Sequence, residues 1–131
     1  MKGYFPYKEE TEMKDLKVFI YCRVLDEKAK DLLNYQEHEL TDLSKYFDMR
    51  IVWVAKEVSS GKNFCSYSMQ KLIHYIINEK IDAVVVYDET RLAIYDDLCA
   101  EFRMICDKHD VDILTIDDLK TTIFANSILE S

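Results

Sequence analysis

The sequence predicts a single α/β domain with a four-stranded, mainly parallel sheet and helices on both faces. Apolar runs rich in β-branched and aromatic residues alternate with stretches of helical periodicity, in the order βαβαβαβ. The runs are apolar throughout, which is typical of strands buried on both faces. A length of 131 residues suits one domain, and a hydrophobic content of 49% argues against a disordered chain.

The first strand is predicted over residues 17–24 and carries a cation, Arg23, close to its end. A helix follows over residues 26–46, because its apolar residues recur every three or four positions. Asp26 is a suitable N-cap for this helix, and Gln36 lies on its apolar stripe.

The second strand is predicted over residues 51–58. It leads into residues 59–63, Ser-Ser-Gly-Lys-Asn, which are the clearest loop signal in the chain. An amphipathic helix follows over residues 66–79, and an apolar run predicts a third strand over residues 81–87.

A third helix is expected over residues 94–109 and a fourth strand over residues 111–116. The polar residues 1–16 are predicted to form a flexible N-terminal arm, the domain itself to span residues 17–118, and residues 119–131 to form a short C-terminal tail.

The carboxyl ends of parallel strands lie along one edge of a sheet, and this edge is where open α/β sheets place their sites. Arg23 and Arg91 are the cations most clearly placed there. Two guanidinium groups suit a phosphate or another oxyanion. Four carboxylates are also expected close enough to pair with both arginines: Glu57, Asp88, Asp117 and Asp118. A salt-bridged edge is therefore favoured over an anion site.

Composition excludes several kinds of function. A net charge of −8 without a basic stripe argues against strong DNA binding by this chain alone. The cysteines lack zinc or redox spacing and are expected to be free thiols: Cys22, Cys65, Cys99 and Cys106. The histidines are scattered: His38, His74 and His109. No metal, cofactor, phosphate-binding glycine loop or nucleophilic triad is predicted, and the absence of a membrane span or signal peptide favours the cytoplasm.

The run Tyr21-Cys22-Arg23-Val24 resembles the opening of serine recombinase catalytic domains, in which Tyr-x-Arg-Val-Ser carries the nucleophilic serine. Further segments agree in order and spacing: Gln36, Ser60-Gly61-Lys62, residues 81–87, Arg91-Leu92 and His109-Asp110-Val111. The resemblance runs from residue 17 to residue 118 and implies a resolvase-like fold. It also implies that Arg23, Gln36 and Arg91 are retained site positions.

The chain departs from this family where the family does its chemistry. Leu25 stands at the position of the nucleophilic serine and has no atom that can attack a phosphodiester. Ser66 stands where the family has an arginine, Thr90 where it has an aspartate, and Ile94 where it has a second arginine. Arginines of this kind stabilise charge on the transferring phosphate.

These losses favour a catalytically inactive domain over an enzyme. Such a domain would bind a full-length recombinase or another protein, or be a remnant of a mobile element. Residues 121–129 are expected to form at most a stub of the long helix that follows in the family, which argues against autonomous recombination.

Two alternatives stay open. One is an active strand-exchange enzyme with a substitute nucleophile, for which the candidates are Ser59, Ser60, Cys65 and Ser66. The other is an anion- or nucleotide-binding module.

Overall fold

The predicted fold class is confirmed. The computed structural model describes residues 10–130, so residues 1–9 and 131 lie outside the described part. Its four strands form one parallel sheet in the order β2-β1-β3-β4. The strands are β1 (Lys17–Val24), β2 (Arg50–Val58), β3 (Ala83–Val86) and β4 (Asp112–Thr115).

Helices cover both faces of the sheet. They are α1 (Glu10–Met13), α2 (Lys30–Tyr46), α3 (Tyr67–Ile77), α4 (Asp96–Lys108) and α5 (Ile116–Glu130). Two short 3₁₀ turns, Glu27–Ala29 and Glu89–Arg91, follow β1 and β3. Asp26 therefore caps a 3₁₀ turn and not the predicted long helix, and its side chain accepts a hydrogen bond from the Lys28 amide. None of the described helices is both long enough and apolar enough to cross a bilayer.

β1 is the centre of the core because its side chains alternate between two apolar layers. Val18, Ile20 and Cys22 pack with residues of α1, α2 and α5. Phe19 and Tyr21 pack on the opposite face with residues of α3 and α4. Arg23 continues this second series, which directs its side chain toward the α3–α4 face of the sheet.

The sheet has a switch point between β1 and β3. The chain passes from β1 to β2 through α2 on one face, and from β2 to β3 to β4 through α3 and α4 on the other. Loops at the carboxyl ends of strands diverge at such a point, which opens a crevice there. Neighbouring strand ends lie about 5 Å apart. The loops after β1, β2 and β3 are therefore neighbours.

The prediction of a short tail is wrong for residues 119–130, because α5 continues from Ile116 to Glu130. Its Leu119 and Thr122 are fully buried. Thr115 and Asp118 form a reciprocal N-terminal cap, in which the Thr115 amide donates to the Asp118 carboxylate and the Asp118 amide donates to the Thr115 hydroxyl. This cap was readable in the sequence as Thr-x-x-Asp.

The predicted N-terminal arm also needs correction where the structure describes it. Met13, in α1, is fully buried against the core. The Asp15 amide donates to the Asp48 carbonyl, and the Leu16 carbonyl accepts from the Arg50 amide. The segment just before β1 is thus tied to the sheet. The remainder of the predicted arm, residues 1–9, lies outside the described residues.

Candidate functional site

The Arg23 side chain holds together the loops after β2 and β3. Its Nε donates to the Arg91 carbonyl at 2.8 Å, and its two terminal nitrogens donate to the carbonyls of Ser59 and Thr90 at 2.7 Å each. The residue is only 4% exposed, and burial lowers the pKa of its guanidinium. Because these N–H groups of Arg23 already donate to carbonyls, they are not free to bind an anion.

Gly61 lies directly against this guanidinium. Its φ is +71°, a conformation that residues with a Cβ rarely adopt, and a Cβ built there would be 2.7 Å from Arg23 Cζ. Glycine is required here for two reasons, the left-handed backbone and the close approach. The sequence signalled the loop at this point but not the contact with Arg23.

Gln36 fixes the backbone at the end of β1. Beyond Tyr21, β3 no longer pairs with β1. Gln36, fully buried on α2, replaces the missing strand: its side-chain oxygen accepts from the Arg23 amide at 3.3 Å, and its nitrogen donates to the Arg23 carbonyl at 3.2 Å. Gln36, which the resemblance placed at the site, is thus in direct contact with Arg23.

Arg91 has a different environment from Arg23. It donates to the Arg23 carbonyl at 3.3 Å, and its Nε lies 3.7 Å from an oxygen of Asp88. The expected pairing of both arginines with carboxylates is therefore correct only for Arg91 with Asp88. It is wrong for Arg23, whose hydrogen-bond acceptors are backbone carbonyls. Asp118 caps α5, which begins directly after β4, instead of pairing with an arginine.

Glu57, near the end of β2, collects three hydroxyl groups. Its Oε2 accepts from Tyr21 at 2.5 Å, from Ser59 at 3.0 Å and from Ser66 at 2.9 Å. Burial raises the pKa of Tyr21 well above its usual value, and the hydrogen bond to Glu57 adds to the effect, so Tyr21 remains a donor. The sequence indicated Glu57 only as a partner for arginine and did not predict this cluster.

A family model described as "Resolvase, N terminal domain" matches residues 18–130. This chain belongs to the resolvase family.

Solved structures agree with this assignment of the fold. The resolvase domain is similar to the C-terminal catalytic domain of ISC1926 TnpA, an IS607-like serine recombinase (22% identity, 88% of this chain and 80% of that one, TM-score 0.73). It is also similar to the N-terminal catalytic domain of TP901-1 integrase (22% identity, 87% and 96% covered, TM-score 0.67). The first ORF of transposon ISC1904 from Sulfolobus solfataricus P2 is 25% identical over 76% of this chain and 66% of that one, with a TM-score of 0.66.

The four positions at which the resemblance indicated departures from the family lie around the same edge of the resolvase domain. Leu25 follows β1 and is 66% exposed, and Ile94 precedes α4 and is 43% exposed. Ser66 caps α3 by accepting from the Met69 amide, and the Thr90 carbonyl accepts from Arg23. None of these four side chains supplies a positive charge to the edge.

The candidate substitute nucleophiles divide into two groups. The hydroxyls of Ser59 and Ser66 donate to Glu57, whereas Ser60 and Cys65 are exposed. Cys22 lies in the opposite apolar layer, and burial raises the pKa of its thiol to about 12, so it remains protonated. Within residues 10–130, no three His, Cys, Asp or Glu side chains are grouped as a metal site would require.

Proposed function

We propose that this resolvase domain does not cleave DNA and acts by binding another protein. The observation that carries the proposal is Leu25. It is exposed beside Arg23, at the position to which the family resemblance assigns the attacking serine. A leucine side chain has no lone pair or ionisable proton, so it forms no covalent bond to phosphorus.

The cations at this edge support the same proposal. Transfer of a phosphoryl group needs donors aimed at the charge that develops on phosphate oxygens. Arg23 donates to three backbone carbonyls, and Arg91 donates to a fourth while lying near Asp88. Arg23 could donate to a phosphate only if the loops after β2 and β3 released its guanidinium.

A search for a covalent protein–DNA adduct tests the proposal. The protein is incubated with duplexes that carry a nick on one strand. Cleavage next to the nick releases a fragment, which is lost, so the covalent adduct accumulates. The products are separated under denaturing conditions. We expect no adduct under conditions in which an intact serine recombinase forms one on its own site.

A reproducible adduct would overturn the proposal and favour the alternative, an active strand-exchange enzyme. Mass spectrometry of the attached peptide would then identify which residue is bound to DNA: Ser59, Ser60, Cys65 or Ser66. Each assignment would be checked by replacing that serine or cysteine with alanine.

The variant Leu25→Ser tests whether the nucleophile is the only group that this edge lacks for cleavage. We expect this variant to form no adduct either, because Ser66 and Ile94 stand where the family resemblance places arginines. Leu25 is exposed, so the change leaves stability within about 0.5 kcal/mol. Cleavage by Leu25→Ser would show that the remaining cations suffice.

The alternative of an anion- or nucleotide-binding module has less support, because three donors of Arg23 are already used. We expect millimolar phosphate to leave the melting temperature unchanged. A rise in melting temperature that disappears in Arg91→Ala would favour this alternative.

The proposed setting is a mobile element in a reducing cytoplasm. A domain similar to transposon and integrase proteins fits such a setting, and so do the four free cysteines. A full-length recombinase or another protein would be the partner. Neighbouring genes that encode neither a recombinase nor other mobile-element proteins would argue against this setting.

A further inference from the structure

We propose that the carboxyl edge of the sheet is a docking surface for a basic protein segment that carries apolar side chains. This inference rests on the proposed function, because it names the surface through which the domain binds. The surface consists of four exposed apolar residues, Leu25, Tyr67, Ile94 and Tyr95, which we call the apolar edge. Their exposed fractions are 66%, 73%, 43% and 48%.

Hydrogen bonds join the segments that carry these residues. The Val24 carbonyl, just before Leu25, accepts from the Ser59 amide at 3.1 Å. At the other end of the same loop, the Gly61 carbonyl accepts from the Ile94 amide at 3.0 Å. Leu25 and Ile94 therefore lie on either side of one three-residue loop.

Tyr67 and Tyr95 extend this surface. Tyr67 follows Ser66, whose hydroxyl shares Glu57 with the hydroxyl of Ser59. Tyr95 follows Ile94 directly and is the N-cap residue of α4. The segments that carry the apolar edge thus lie beside the Ser59–Gly61 loop, and Arg23 holds that loop in place. Four exposed apolar residues brought to one edge of the sheet favour an interaction surface there.

Exposed carboxylates border the apolar edge. Asp26 follows Leu25, and Asp96 and Asp97 follow Tyr95. Lys62, which follows the Ser59–Gly61 loop, and Lys28, two residues after Asp26, are exposed cations of the same region. Together with a net charge of −8, the acidic border favours a partner that carries Lys or Arg around its apolar side chains.

The same charges disfavour the other occupants. A DNA backbone would be repelled by the acidic border. A second copy of this chain would bring a second net charge of −8 against the first, and the carboxylates of both borders would then be brought close together. A basic protein segment satisfies both the apolar centre and the acidic border.

The test uses a synthetic amphipathic helix with leucines on one face and arginines on the other, added to the isotope-labelled full chain without DNA. We expect amide shift changes that map to the loops bearing Leu25, Tyr67 and Ile94, and an affinity that falls as salt is added. The double variant Leu25→Ser/Ile94→Ser should weaken binding by at least about tenfold.

A matched control, Met104→Ser, changes a side chain on α4 that is 71% exposed and lies outside the apolar edge, and it should leave binding unchanged. Three results would each overturn the proposal: shift changes centred elsewhere, equal losses in the control and the double variant, and a dimer seen by sedimentation that the double variant abolishes. The last of these would assign the surface to a second copy.

The adduct experiment separates this inference from the proposed function. A covalent adduct together with binding that depends on the apolar edge would refute the inactive-domain proposal and leave the surface standing. No adduct and no such binding would refute the surface alone.

Discussion

The substitution Gly61→Ala tests whether the contact between the Ser59–Gly61 loop and Arg23 stabilises the fold. The alanine would hold a φ of +71°, which costs about 1 kcal/mol. Its Cβ would also lie 2.7 Å from Arg23 Cζ, where ordinary contacts begin near 3.4 Å. The guanidinium is held by three hydrogen bonds of 2.7–2.8 Å, so relieving the overlap weakens at least one of them. A charge-assisted hydrogen bond of this kind contributes about 1.5–3 kcal/mol.

The expected total is a loss of about 2–4 kcal/mol in the free energy of unfolding. Urea titration followed by circular dichroism measures this loss. The neighbouring variant Ser60→Ala is the control and should change stability by less than about 0.5 kcal/mol, because Ser60 is exposed.

A double-mutant cycle isolates the contact with Arg23. In an Arg23→Met background the side chain no longer branches under the loop, so Gly61→Ala should cost only its backbone strain of about 1 kcal/mol. An equal cost of Gly61→Ala in both backgrounds would refute the role assigned to the close contact. If Gly61→Ala in the otherwise unchanged protein cost less than about 1 kcal/mol, neither the backbone strain nor the contact with Arg23 would have the assigned effect.

Three further predictions concern the rest of the domain. Glu57→Gln should lower the free energy of unfolding by about 2–3 kcal/mol in urea titration, because three hydroxyl groups lose a charged acceptor. A neutral result would mean that the negative charge of Glu57 contributes nothing. Glu79 has a φ of +55° at the end of α3, so Glu79→Gly should raise the melting temperature while Glu79→Ala should not, and equal effects would contradict this. In a thiol-reagent assay Cys65 should react quickly, whereas Cys22 and Cys106 should react only on unfolding, because burial raises both thiol pKa values to about 12; rapid reaction of either buried thiol would contradict the packing.

The sequence was most informative where hydrophobic burial determines the structure. β1 was predicted with its observed bounds, 17–24, because a strand buried on both faces has a continuous apolar run. α5 was missed because its apolar residues point in several directions: Leu119 is fully buried, whereas Phe124 and Ile128 are more than half exposed. Without a single apolar stripe, helical periodicity is not evident in the sequence.

The site was predictable in its location but not in its bonding. Parallel topology alone brings Arg23 and Arg91 to one edge. The acceptors of Arg23 are backbone carbonyls, and every residue has one, so no residue type in the sequence identifies them. The Glu57 cluster was missed for a related reason, since in a chain with 25 acidic residues a single glutamate is not distinctive.

The positions that the resemblance identified as retained and those that it identified as changed differ in their structural roles. Arg23 joins three carbonyls from two loops, Gln36 replaces a strand partner, and Gly61 leaves room for the guanidinium. Each of these residues has a role in the fold that does not depend on catalysis. Leu25 and Ile94 are exposed, and replacing either of them has little effect on folding. The contacts of Arg23 and Gln36 therefore account for their presence in the fold, so these two residues are not by themselves evidence for catalysis.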